Sequence, residues 1–301
     1  MSLIHRDRLK SNENRFSDFS YMIDEVLMQR TSPFQEIAVV QTPAFGRALL
    51  LDGVTQITEK DEFIYHEMLV HVPVSYTSVL NHVAVIGGGD GCAMREVEKY
   101  QEIKSSTLCE IDPNVISIVR EYFGNILENT FTDPRLSIIH EPAQKWIESQ
   151  IAGSYDLIIN DSLEYEPGDA LSEELYGEEH LKNIYTALAD SGVYATLAVD
   201  VSPGAANNVN QELLATIKER IERVFDSAFV HFFPAVSYGW SFMTLIVAIK
   251  NPALMPPKID EIWNRWKKRG IDTRFYSPFF HVASLIDPSK NYKSLYDMNM
   301  D

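Results

Sequence analysis

Four stretches of the chain carry side chains that could do chemistry together. The first is Val85-Ile86-Gly87-Gly88-Gly89-Asp90-Gly91, a glycine-rich turn that follows an apolar run and precedes an amphipathic one. Glycines in such a turn let backbone approach a ligand, and the helix that follows supplies free N–H groups. The second is Glu110, at the end of the next apolar run, where a carboxylate can accept both hydroxyls of a ribose. Together they favour a nucleoside site over a purely structural turn. Asp90 narrows the ligand, because a fixed carboxylate in the turn repels a pyrophosphate and attracts a cationic nucleoside such as a sulfonium. Asp90 would also serve as a helix N-cap, a reading that leaves three successive glycines unexplained. The third stretch is Tyr155–Asp161, whose final aspartate stands where a doubly wound sheet opens its crevice. Asp161 there suits a general base, or a cap on the next helix. The acidic run from Ser162 to Asp169 suits a lid over a cation, or a solvated loop.

These residues need a parallel sheet to bring them together, and the pattern provides one. From Phe34 to Glu62 the chain runs in short alternating pieces broken by Pro43, Gly46 and the turn pair Asp52-Gly53, which predicts a small antiparallel sheet. Glu62–Val72 reads as a helix, and after Pro73 nearly continuous Val/Ile/Leu strands alternate with amphipathic helices, one of them spanning residues 172–188. Two late apolar runs, 228–235 and 242–250, have no helix between them, so the sheet should close with an antiparallel pair. The expected fold is α/β, a Rossmann-like class I methyltransferase sheet behind a small N-terminal antiparallel β-domain. The division is placed at residues 1–74 and 75–301.

The 301 residues include 26 Lys and Arg against 43 Asp and Glu, a net charge of −17, which disfavours nucleic acid and anionic membranes. Two cysteines, Cys92 and Cys109, make no disulfide framework, and no apolar run approaches a membrane span. A cytoplasmic setting is expected. The histidines of His66-Glu67-x-x-x-His71 are five apart and so fall on different helix faces, which argues against a zinc pair, and no metal is expected. The aromatic tail from Trp263 to Phe280 reads as core and subunit packing.

The segments Phe45-Gly46-Arg47-x-Leu-x-Leu-Asp52-Gly53-Val54-x-Gln56, Asp61-Glu62-Phe63-x-Tyr65-His66-Glu67-Met68, Gly87–Gly91 with Arg95-Glu96-Val97, and Glu110-Ile111-Asp112 together resemble the spermidine synthases. The resemblance extends from about Glu25 to Pro288. It implies decarboxylated S-adenosylmethionine as aminopropyl donor, a small-molecule amine as acceptor, and a homodimer or homotetramer. By the same resemblance Gln35, Gln56, Tyr65, His66, Asp90 and Glu110 line the donor or amine site, with Glu110 on the ribose and Asp90 on the donor's ammonium. Gly87 and Gly89 belong to the donor loop. Asp161 matches the catalytic aspartate, with Tyr65 orienting the amine. Aminopropyl transfer needs an uncharged nitrogen, whereas an alkylamine of pKa about 10 is almost fully protonated at neutral pH, so a base such as Asp161 must take its proton.

Four departures from the family pattern fall on substrate-facing positions. Glu164 stands for the second aspartate of an Asp-x-x-Asp-Pro motif, with Tyr165 in place of the proline. Leu197 replaces a glutamine. Val236 replaces a tyrosine, with Tyr238 and Trp240 nearby. His140-Glu141-Pro142 replaces the Asp-Gly that reads adenine, leaving Glu141 to accept from the amino group while Pro142 offers no N–H. The expectation is a retained donor site and an altered acceptor site, for putrescine or a less usual di- or polyamine. Two other readings stay open: an N-methyltransferase using S-adenosylmethionine, and a binder of polyamine or nucleoside without turnover.

Overall fold

The N-terminal alternation folds as read. In the computed structural model, which describes residues 2–5, 20–127, 129–201, 209–238, 241–251 and 256–286, Ser2–His5 (β1) pairs antiparallel with Ser20–Ile23 (β2). Glu25–Thr31 (β3), Glu36–Thr42 (β4), Gly46–Leu51 (β5) and Val54–Thr58 (β6) form a meander in that order. The β5–β6 turn has φ of 50° at Asp52 and 76° at Gly53, the positive pair that a tight hairpin needs. One face of this sheet, with Ile37, Val39, Leu49 and Ile57, packs on Val115, Ile118 and Val119 of the helix Pro113–Tyr122.

The remaining strands are His82–Gly87 (β7), Ser105–Cys109 (β8), Leu136–Ile139 (β9), Tyr155–Asp161 (β10), Leu188–Val201 (β11), Ser227–Ala235 (β12), Ser241–Ile249 (β13) and Leu285–Ile286 (β14). They lie in the order β14-β12-β13-β11-β10-β7-β8-β9. The five strands from β9 to β11 are parallel, and β13, β12 and β14 complete the sheet antiparallel. Both faces are covered, which is why the strands read as continuous apolar runs. In β7, Val83 and Val85 face one core cluster while Ala84 and Ile86 face the other. From β7 the chain goes outward through β8 and β9, then returns to add β10 on the other side, so a crevice opens between β7 and β10 at their carboxyl ends.

Two helical expectations are corrected. The helix opening at Glu62 does not stop before Pro73 but runs to Tyr76 (α1, Glu62–Tyr76). Proline costs a helix about 3 kcal/mol, but every residue from Tyr65 to Tyr76 is buried, and packing of that length overrides a single lost hydrogen bond. Residue 74 therefore lies within α1. The long helix expected at 172–188 is two, Ala170–Leu175 and Glu178–Ala187, since the chain turns at Gly177 and Glu178 and Glu179 open a new first turn.

α1 joins the two sheets and is pinned from the far end of the chain. Glu67 is buried, and its two oxygens accept the backbone N–H groups of Arg274, Phe275 and Tyr276, each at 2.7 Å. His71 contacts the Tyr100 hydroxyl at 2.7 Å and Glu96 at 2.9 Å, away from the partners of His66, as the five-residue spacing requires. Of the aromatic tail, Tyr276 is buried and Trp266, Phe275 and Phe280 pack on the main core, while Trp263 and Phe279 meet each other at the surface. Replacing Glu67 by Ala removes the shared acceptor of three backbone donors, of which the Tyr276 N–H is buried and the other two are partly buried. We expect it to lower unfolding stability by about 1–3 kcal/mol, read as a fall in the urea midpoint; an unchanged midpoint would refute the tether.

Candidate active site

The crevice between β7 and β10 collects most of the residues singled out from sequence. The strand register sets Asp161 level with Gly87, and the Gly88 N–H donates to the Asp161 carbonyl at 2.9 Å, so the loop and the aspartate form one rigid rim. Gly87 has a φ of 74°, and a Cβ there would sit 2.3 Å from the Asp161 carbonyl oxygen. Gly89 is glycine for a different reason: a Cβ would lie 2.7 Å from the Glu110 carboxylate. The loop is bare where Glu110 leans over it.

Glu110 follows β8, and its carboxylate is shaped by backbone. Oε2 accepts from the Gly89 N–H at 3.1 Å and Oε1 from the Asp112 N–H at 2.8 Å, and each oxygen keeps a lone pair for a ligand hydroxyl. Burial, reinforced by the charges of Asp112 and Asp90, raises its pKa to about 7 despite those two bonds. Gln35, in the turn just before β4, donates to Asp112 Oδ2 at 3.3 Å, which brings the N-terminal sheet to the Glu110 end of the crevice. His140 touches the Glu110 carbonyl at 2.8 Å, and Glu141, half-buried, comes next in the chain.

At the other end α1 delivers Tyr65 and His66. Tyr65 donates to Asp161 Oδ1 at 2.6 Å, while Asp161 Oδ2 is buried and has no protein partner. One atom each from His66, Asp90 and Asp161 lie within 4.8 Å of one another. His66 is buried between two carboxylates, with Nδ1 3.0 Å from Glu62 Oε2 and Nε2 3.4 Å from Asp90 Oδ1. Burial disfavours its cation, but Asp90 and then Glu62 outweigh that and lift the pKa to about 9. Glu62 in turn is gripped by both terminal nitrogens of Arg95 at 2.9 Å. Burial would raise its pKa, yet His66 and Arg95 hold it down at about 2. Burial and the nearby Asp90 charge raise the pKa of Asp161, opposed by His66 and the Tyr65 hydroxyl.

Asp161 caps nothing: the helix after it is capped by Asp169, which accepts from the Ser172 N–H at 2.8 Å. The N-cap of the helix Cys92–Glu98 is Gly91, not Asp90, but Asp90 accepts from the Cys92 N–H at 2.8 Å and so steadies that helix while it faces His66. The acceptor-side residues are more dispersed. Tyr238 stacks on Tyr65 with centroids 5.7 Å apart, and its hydroxyl donates to the Gln56 carbonyl; the Gln56 amide turns back to Val54 O at 3.3 Å. Leu197 packs in the core cluster that holds Tyr65, Val236 is half-buried, and Trp240 lies outside the described residues. Glu164 is half-buried three residues beyond Asp161.

Glu62 and Arg95, whose bidentate pair fixes His66, carry no assigned role in the sequence pattern. Their signal was an acid at a helix start and an arginine one turn into the helix after the glycine loop.

The raised pKa of Glu110 has a stability signature. The folded state holds a proton that the unfolded chain has lost, so this contribution is complete below about 4.5 and disappears as pH rises through about 7. Glu110→Gln should therefore gain thermal stability relative to the parent between pH 4.5 and pH 7.5; a pH-independent difference would contradict the assigned environment.

Two family models match the chain: "Spermine/spermidine synthase domain" over residues 62–256 and "Spermidine synthase tetramerisation domain" over residues 11–59. Polyamine aminopropyltransferases of Yersinia pestis (strain Pestoides F) and Yersinia pseudotuberculosis (strain IP 31758) are each 30% identical over 271 residues, 89% of this chain and 87% of theirs. A crystal structure of spermidine synthase in complex with the transition-state analogue AdoDATO covers 94% of this chain and 92% of its own at TM-score 0.80 and 29% identity. Spermidine synthase from Thermotoga maritima gives 0.78 and 28% with the same coverage. Among the described residues no helix is long and apolar enough to cross a membrane. A glycine loop backed by Glu110, a half-buried carboxylate pair at its far end, and a family match across the large sheet agree: the chain belongs to the spermine/spermidine synthase family.

Proposed function

We propose that the protein transfers the aminopropyl group of decarboxylated S-adenosylmethionine to an amine and releases methylthioadenosine. The observation that carries this reading is the half-buried pair Asp90 and Asp161, two carboxylates at one end of a crevice whose other end holds Glu110. Such a crevice suits an elongated ligand with a ribose at one end and cations at the other. Glu110 takes the ribose hydroxyls. Gly87 and Gly89 let the backbone close on the nucleoside, Gln35 braces that end through Asp112, and Glu141 faces the adenine amino group. Asp90 holds the donor's ammonium beside His66.

Asp161 is the base, and the atom that acts is Oδ2, since Oδ1 is taken by Tyr65. The acceptor enters as an ammonium and passes a proton to Oδ2. The freed nitrogen lone pair attacks the propyl carbon bonded to sulfur, a C–N bond forms, and the C–S bond breaks with its electron pair moving to sulfur. The sulfonium leaves as a neutral thioether, so no group need stabilise a departing anion. After attack the nitrogen is a secondary ammonium holding its two remaining protons, and Asp161 Oδ2 gives the proton it took to water, which restores the carboxylate. Tyr65 holds Asp161 and the nitrogen in line, with Tyr238 stacked behind it and Gln56 supporting Tyr238. Glu164 reaches toward a second cationic nitrogen of the acceptor. The raised pKa of Asp161 moves it toward that of a working base at neutral pH.

Residues 1–74 contribute Gln35, Gln56, Tyr65 and His66, so we assign the N-terminal domain a share of the site as well as assembly into a homodimer or homotetramer. A methyltransferase would release S-adenosylhomocysteine and a binder would release nothing, so the nucleoside product decides among the three. Incubation with the decarboxylated donor and putrescine should yield methylthioadenosine by mass spectrometry. Its absence with every di- and polyamine tried, or S-adenosylhomocysteine from ordinary S-adenosylmethionine, would overturn the reading.

The carboxylate pair makes a second outcome measurable. Asp161→Asn should lower kcat by about 10²–10⁴-fold. Asp90→Asn removes the like charge that raises Asp161, so it should shift the acid limb of the kcat/KM profile to lower pH while weakening donor binding. An acid limb that stays in place would separate Asp161 from the titration.

A further inference from the structure

Beyond Asp161 the chain is held at every step. Ser162 Oγ donates to the Asn160 side chain at 2.6 Å. The Tyr176 hydroxyl reaches both the Leu163 carbonyl, at 3.0 Å, and the Leu197 carbonyl on β11, at 2.9 Å. Tyr165, the residue standing where the family pattern has proline, is buried and closed into a triangle. Its hydroxyl donates to Glu173 Oε1 at 2.6 Å and accepts from Arg220 Nη2 at 2.8 Å. Arg220 Nη1 completes the ring by donating to Glu173 Oε2 at 2.9 Å, and its guanidinium lies 4.7 Å from the centre of the Tyr165 ring. Ser172 then ties down Glu166 through both the Glu166 N–H and its carbonyl.

Glu164 is thus the residue between two anchored neighbours, three positions past the base. A carboxylate on a mobile loop pays an ordering cost each time it meets a ligand, and one whose backbone is already fixed does not. The family pattern fixes this position by the rigid ring of proline. This chain fixes it by a side-chain ring that includes a residue from the distant helix Val209–Glu222.

We infer that Tyr165, Glu173 and Arg220 form a clamp that sets acceptor selectivity by holding Glu164 in place for the distal ammonium of a diamine or polyamine. The inference rests on the aminopropyl-transfer reading above and adds to it the residues that position Glu164. None of the three clamp residues touches the reacting atoms, and Arg220 and Glu173 are partly exposed, so substitution there leaves the core intact.

The test compares 1,4-diaminobutane with butylamine, which has the same chain and no second nitrogen. With the parent enzyme, methylthioadenosine formation should favour the diamine in kcat/KM. Arg220→Gln should raise the KM for the diamine about five- to tenfold, the equivalent of one or two lost hydrogen bonds, with kcat within about twofold and butylamine kinetics unchanged. Tyr165→Phe should do the same, and Arg220→Lys, which keeps the charge without the fork, should restore only part of the selectivity. Equal changes for both amines, or none, would overturn the clamp while leaving aminopropyl transfer standing. Absence of methylthioadenosine with both amines would overturn the two together.

Discussion

Two carboxylates that repel each other are confined at one end of a crevice, and much of the surrounding structure exists to make that confinement tolerable. Asp90 and Asp161 share their space with His66, whose cation is favoured by Asp90 on one side and Glu62 on the other. Glu62 can do this because Arg95 holds both of its oxygens. The result is an anionic cleft whose charge is partly neutralised from within, so it survives empty yet still gains when a ligand brings its own positive charge.

The crevice itself is a product of chain topology. The parallel strands are added on either side of β7, and at such a switch point the carboxyl ends of two neighbouring strands leave room for a ligand. The glycine loop fills the gap with bare backbone, and Glu110 occupies the volume that a side chain at position 89 would have taken. Specific residues and fold geometry cannot be separated here, since the carboxylate fits only because its neighbour has no Cβ.

Much of this was legible in the sequence because it follows from local order. The glycine run, the carboxylate one strand later and the aspartate ending a further strand lie at spacings that a parallel sheet imposes, and the Asp52-Gly53 hairpin declared itself by composition. What could not be read was set by tertiary contact. Pro73 signals a helix end, and burial of its surroundings cancels the signal. Gly177 sits in a run that is otherwise helical. The two-residue strand β14 has too little sequence to announce itself. Tyr165 meets Arg220, and Glu62 meets Arg95, across intervals of chain that carry no periodicity.

The attachment of Glu67 to residues 274–276 ties the crevice to a remote part of the chain. Tyr65, His66 and Glu67 are consecutive, two turned to the crevice and the third away from it, so the helix that presents the phenol to Asp161 takes its seat against backbone 207 to 209 positions further on. Loosening that backbone would slacken the seat of Tyr65 while the sheet kept the glycine loop, Glu110 and Asp161 where they are. The two ends of the crevice therefore answer to different parts of the molecule, one to the large sheet and the other to a single remote contact.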